Sequence, residues 1–117
     1  MTTKITELFD EASGDIAVGD LEAAVVKYRQ CVALDPKFFD GWHALGMALM
    51  KSGSYPEAIE AGLRATILRP NDQLAWSSLS LFYVRNHQIP EAESAGVKAK
   101  IISWGGKIAL ESPKAED

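Results

Sequence analysis

Residues 42–67 read WHALGMALMKSGSYPEAIEAGLRATI and residues 76–101 read WSSLSLFYVRNHQIPEAESAGVKAKI. Aligned at a spacing of 34 residues, the two stretches are identical at Trp42/Trp76, Leu45/Leu79, Pro56/Pro90, Glu57/Glu91, Ala58/Ala92, Ala61/Ala95, Gly62/Gly96, Ala65/Ala99 and Ile67/Ile101. Nine matches in 26 positions exceed the roughly one or two that ordinary composition supplies. A fixed period of this size is the mark of a stacked repeat. One period earlier, residues 8–36 fit the same frame more loosely through Leu8, Ala12, Gly19, Ala24, Tyr28 and Pro36, which makes three units.

Each unit reads as two helices. Trp42, Leu45, Gly46 and Leu49 fall at i, i+3, i+4 and i+7 and so share one face of a helix. Pro56 and Pro90 stand where a second helix begins, a place where the missing amide proton costs nothing because first-turn amides are unpaired. Asp35-Pro36 and Arg69-Pro70 close the second helices, since a proline disfavours helical geometry in the residue before it. These signals predict helices at 4–17, 21–34, 39–52, 56–69, 73–86 and 90–103.

The frame resembles the tetratricopeptide repeat, a helix-turn-helix unit of 34 residues. Unit 2 carries the pattern at Trp42, Leu45, Gly46, Gly53, Tyr55, Ala58, Ala65 and Pro70. Unit 3 carries it at Trp76, Leu79, Ser80, Tyr83, Ala92 and Ala99. The resemblance implies an all-α, right-handed superhelical α-solenoid. Residues 1–104 are expected to form one domain, with units at about 5–38, 39–72 and 73–104, and residues 105–117 a short C-terminal cap or tail.

Departures from the pattern carry expectations of their own. His87 replaces the turn glycines Gly19 and Gly53, and histidine tolerates positive φ better than most residues. Gly62 and Gly96 occupy a mid-helix position at a cost of about 1 kcal/mol each relative to Ala. Close packing against Trp42 and Trp76 is the expected compensation. In the first leading helix Glu11, Gly14 and Asp15 interrupt the apolar stripe, so that helix is expected to fray. Trp104 stands where the other units have Pro36 and Pro70.

Composition narrows the function. The chain has 117 residues, a formal charge of −4, 47% hydrophobic and 24% charged residues. This is ordinary for a globular domain large enough to form a core without metal or disulfide. The acidic balance opposes nucleic-acid binding, which favours a basic face. No apolar run is long enough for a transmembrane helix, and the first residues lack the apolar core of a secretory signal, so no membrane partner and a cytoplasmic location are expected. Cys31, the sole cysteine, falls at the small-residue position of Ala65 and Ala99 and reads as a buried thiol. His43 lies on a leading helix and His87 in a turn of the next unit, without metal-ligand spacing, and no nucleophile stands beside a base. No catalysis, metal or cofactor is expected.

The family resemblance implies a binding groove lined by the leading helix of each unit. The positions carried over are Phe9, Ser13 and Ile16; Asp40, His43, Met47, Met50 and Lys51; and Leu74, Ser77, Leu81, Val84 and Arg85. Phe9, Ile16, Met47, Met50, Leu81 and Val84 would form an apolar floor, with Lys51 and Arg85 on a rim. One branch of the family clamps the C-terminal carboxylate of heat-shock chaperones with charged and amide side chains. The corresponding positions here are Phe9, Ser13, Ala44, Leu74 and Ser78, which supply no positive charge, so that ligand is not expected. The sequence therefore reads as a scaffold-like protein-interaction module that takes an apolar peptide or helical segment. The alternative is a homo-oligomer formed through an uncapped C-terminal face at Val97, Ile101, Ile102 and Trp104, unless Ile108 and Leu110 fold back as a small cap.

Overall fold

The computed structural model describes residues 3–108. It holds six helices in chain order: α1 (Thr3–Ala17), α2 (Leu21–Leu34), α3 (Phe39–Lys51), α4 (Tyr55–Leu68), α5 (Gln73–Arg85) and α6 (Ile89–Ser103). Every bound lies within one residue of its predicted place. Each helix packs on its predecessor, within a unit and between units, giving an all-α solenoid of three helix pairs. Helix α5 approaches α3 more closely than α6 approaches α4, so this part of the stack bends toward its odd-numbered helices.

Local chemistry explains the boundaries. The Asp20 and Asp72 carboxylates cap α2 and α5 by accepting from the amides of Ala23 and Ala75, each at 3.1 Å. Pro56 and Pro90 lie in the first turns of α4 and α6. The turns inside the three units reverse through one left-handed residue each, Gly19 at φ 85°, Gly53 at φ 87° and His87 at φ 60°. His87 therefore takes the positive φ of the turn position it shares with the two glycines.

The core runs through all three units and contains Ala12, Tyr28, Leu45, Leu49, Ala58, Trp76, Leu79, Phe82 and Ala99. Trp42 and Trp76 act as repeat-equivalent wedges. Their indole Nε1–H groups donate to the carbonyls of Pro36 and Pro70, both at 2.7 Å, which ties each leading helix to the corner before it. Cationic side chains one repeat apart lie over the rings, Arg64 over Trp42 and Lys98 over Trp76.

The compensation expected for the mid-helix glycines comes from different residues. A Cβ on Gly62 would meet Leu79 and Phe82 at 3.1 Å, and one on Gly46 would meet the Phe82 ring at 2.9 Å. Phe82, 1% exposed, thus enters a notch between α3 and α4, and the tryptophans do not. At Gly96 the same probe meets only Ser80 Oγ, at 3.5 Å.

Helix α1 is held by buried Ile5, Leu8 and Ala12. The Lys27 ammonium adds an ion pair to Asp15 at 2.8 Å, and this hydrogen bond, ahead of the nearby acidic charges, raises the lysine's pKa. Cys31 is buried, its thiol 3.7 Å from the carbonyl oxygen of Ile5, and desolvation pushes its pKa up.

Candidate partner-binding surface

The positions expected to line a groove lie on the leading helices α1, α3 and α5. Two sets of contacts join these helices to their neighbours. His43 Nε2 lies 3.0 Å from Ser78 Oγ and joins α3 to α5. The Phe9 ring packs 5.4 Å from Tyr28 and 5.3 Å from Phe38, which sets α1 against the start of α3.

The groove positions then divide by what their side chains touch. Leu74 and Val84, 57% and 45% exposed, are open to a partner. Ile16, Met47 and Leu81 are half-buried, with one side on the core and one facing out. Met50 is a core residue, because α3 turns it inward beneath its neighbours. Phe9 is committed largely to its aromatic neighbours. Ser13 donates to the Phe9 carbonyl oxygen at 3.0 Å, and its hydroxyl lies 3.1 Å from that of Tyr28. Asp40, Ser77, Lys51 and Arg85 are exposed.

Charge is graded along the helices. Asp40 stands in the first turn of α3, while Lys51 and Arg85 stand in the last turns of α3 and α5, where they complement the helix dipoles. Burial holds the His43 pKa below its usual value, with Asp72 and Asp40 opposing the shift. The ring also stacks on Phe39 with centroids 6.1 Å apart. His43 is thus a half-buried bridge between two helices whose charged form burial disfavours.

The C-terminal positions also separate. Val97 and Trp104 are 57% and 75% exposed, whereas Ile101 and Ile102 are half-buried. Beyond α6, Gly105 adopts φ 89° and the Gly106 amide donates to the Ile101 carbonyl at 2.9 Å, a left-handed helix stop. The chain then turns back, and the Ile108 amide donates to Asn71 Oδ1 at 2.7 Å while its side chain packs against the core. Of the two alternatives for this end, an uncapped face or a fold-back of Ile108 and Leu110, Ile108 takes the second; Leu110 lies outside the described residues.

A cleft of about 820 Å³ lies between the start of α2 and the turn at Ser52 and Ser54. Leu21, Val25 and Leu49 line it, and the Arg29–Glu57 ion pair, at 2.9 Å, crosses its edge. The repeat frame carried a signal for it, since Leu49 stands where unit 3 has the larger Tyr83. A smaller cleft bordered by Leu74, Ser77 and Ile102 adjoins the groove. Among the described residues no group of three or more His, Cys, Asp or Glu could hold a metal ion, and no helix is long and apolar enough to cross a membrane.

Helix pairs repeating every 34 residues and sharing a curved inner face define a tetratricopeptide-type array. Family models described as "TPR repeat" and "Tetratricopeptide repeat" match residues 16–53 and 39–72. The chain belongs to the tetratricopeptide-repeat family. It is 39% identical over 49 residues to "Superkiller protein 3" of Schizosaccharomyces pombe, a match covering 42% of this chain and 4% of that protein. It is 33% identical over 57 residues to "Small glutamine-rich tetratricopeptide repeat-containing protein 2" of Mycosarcoma maydis, covering 49% of this chain and 16% of that protein. The chain thus corresponds to small parts of these relatives.

Solved structures share the fold at low identity. MamA superposes with a TM-score of 0.83 at 23% identity, over 90% of this chain and 61% of that one. The second repeat domain of Spaghetti (RPAP3), bound to the HSP90 peptide SRMEEVD, gives 0.79 at 19% identity, over 86% and 93%. The Yersinia enterocolitica type III secretion translocator chaperone SycD, in its alternative dimer, gives 0.80 at 18% identity, over 87% and 77%.

Proposed function

We propose that this chain is a non-catalytic, cytoplasmic protein-interaction module that holds an apolar peptide or helical segment along the inner face formed by α1, α3 and α5. The observation that carries this reading is that apolar side chains on all three leading helices, Ile16, Met47, Leu81, Leu74 and Val84, are left open or half-open. The adaptable thioether of Met47 suits varied apolar partners. Lys51 and Arg85 at one end and Asp40 at the other would orient an asymmetric ligand. Structures of the same fold with a bound peptide or a secretion-chaperone role support a protein ligand. A chaperone C-terminal carboxylate is not the ligand proposed, because Phe9, Ala44 and Leu74 place no positive charge at the clamp positions.

Affinity capture from native extract, run with the wild-type chain and with Met47→Glu and Leu81→Glu, tests the proposal. Both variants should keep the helical circular-dichroism spectrum and lose the captured protein. Capture unchanged in both would rule the groove out.

A second reading is supported by the 75% exposure of Trp104, an unusual state for so large an aromatic surface. Here the chain self-associates through Val97, Ile101, Ile102 and Trp104. Light scattering should then show a dimer that Trp104→Glu converts to a monomer, and a monomer at all concentrations removes this reading.

A further inference from the structure

The tyrosines of units 2 and 3 show what would suit the cleft beside Ser52. Tyr55 opens α4 and Tyr83 stands near the end of α5, and both lie half-buried against the core. Tyr83 shares a small cleft with Leu63 and Glu91. One repeat earlier the positions of Tyr55, Leu63 and Tyr83 hold Leu21, Arg29 and Leu49. Smaller side chains there replace two aromatic rings, and the cleft of about 820 Å³ opens at that place. Its apolar lining runs from Leu49, a core residue, out to Val26, which is 55% exposed.

The charge along the cleft is one-sided. Asp20, Glu22 and Glu57 stand against a single lining cation, Arg29, whose guanidinium is bound to Glu57 at 2.9 Å. Lys27, which also feels the Asp20 charge, is bonded to Asp15 at 2.8 Å. Helix α6 and the turn after it carry the opposite features. Trp104 is 75% exposed, and the Lys100 ammonium lies 6.0 Å from the centroid of its ring. Residues 97–108 contain Lys98, Lys100 and Lys107 and no carboxylate, and Lys100 and Lys107 are exposed.

We propose that Trp104 of one copy seats in the cleft of a second copy, over Leu21 and Leu49, with Lys100 and Lys107 set against Asp20 and Glu22. The contact rests on the self-association read above from Trp104 and specifies the surface that receives it. The indole supplies an aromatic ring, the group the chain itself places at the equivalent positions one repeat later, and the lysines supply the charge the lining lacks. Cleft and tryptophan are different patches of the same chain, so the contact is heterologous. Each copy in a pair therefore keeps one of the two patches free for the next. None of the groove positions lines the cleft, and the groove reading is not involved.

Sedimentation and light scattering of the full chain, up to about 1 mM, test the contact. Dimers that lengthen as concentration rises are expected, and added salt should weaken them. Trp104→Glu removes the inserted ring, and Leu21→Tyr fills the cleft as Tyr55 fills its counterpart. Each should weaken association at least about tenfold. Leu49→Tyr, which copies Tyr83, should act like Leu21→Tyr and guards against a folding defect in one variant. The decisive sample mixes the Trp104→Glu and Leu21→Tyr chains in equal amounts. One then offers an intact cleft and the other an intact tryptophan, so a dimer that grows no further should reappear. A mixture that stays monomeric, with the wild-type chain dimeric, means that the Trp104 faces of two copies meet each other; the self-association reading survives and the cleft proposal falls. Association indifferent to both tyrosine variants also overturns it. A wild-type chain that is monomeric throughout overturns both.

Discussion

The junction between units 1 and 2 and the junction between units 2 and 3 do the same work with inverted parts. In the second, Phe82 of the incoming unit fills the space beside Gly46 and Gly62; in the first, the position of Phe82 holds the small Ala48, and the buried aromatic is Tyr28 on α2, set against Phe9 and Ser13 of its own unit. The frame demands a volume at the interface and is indifferent to which helix provides it, as expected where packing density rather than residue identity is selected. The inversion has a consequence for independence. Unit 1 carries its own aromatic, whereas unit 2 is completed by its neighbour, and among the described residues only Ser80 Oγ comes near a Cβ at Gly96.

The largest expected effect is therefore at Phe82. Phe82→Ala should cost about 3–5 kcal/mol, a large share of the stability of a domain this size, measured by urea unfolding. Adding Gly62→Phe, which copies the first junction into the second, should recover part of that loss. A double variant no more stable than Phe82→Ala would show that the two junctions are not interchangeable.

Alanine at the glycines sharpens the comparison further. Gly46→Ala places a Cβ 2.9 Å from the Phe82 ring, so overpacking of about 1–3 kcal/mol outweighs or cancels the gain in helix propensity. Gly96→Ala meets no such obstacle, and the propensity gain should emerge as roughly 0.5–1 kcal/mol of added stability. Opposite signs in thermal melts are the expected result, and equal signs would deny that only one notch is filled.

The turns offer a comparison of smaller size. His87 holds at φ 60° the conformation that Gly19 and Gly53 adopt without a Cβ. His87→Gly should raise stability by about 0.5–1 kcal/mol, the relief of strain reduced by the greater freedom of glycine in the unfolded chain. For His43, burial lowers the folded pKa, so the unfolded state binds a proton first as the solution is acidified. The stability contributed by the neutral ring is complete above the unfolded value of about 6.5 and declines as pH falls below it. His43→Gln should flatten that part of the pH profile of chemical unfolding.

Helices, units and turns were legible in the sequence because their causes are local or periodic. Pro56 and Pro90 mark helix starts by the amide they lack, and Gly19, Gly53 and His87 share one turn position whose backbone need is set by the helix it ends. The filling of the Gly62 notch was not legible. Trp42 and Trp76 looked like the bulky partners, but their indoles are tied to the Pro36 and Pro70 carbonyls, and Phe82 arrives from a helix in the next unit. The groove shows the same division. Met47 and Met50 are three residues apart on one helix, yet one is half-open and the other buried, because neighbouring helices decide how much of each remains uncovered.

The sequence by itself thus determined the number of helices, their lengths and their order, since proline, glycine and apolar spacing act within a turn or two of chain. Only the tertiary structure decided which aromatic closes which junction, which groove residues remain accessible, and that Ile108 returns to Asn71. Those outcomes depend on distances between segments far apart in sequence, and such distances exist only once the helices have packed.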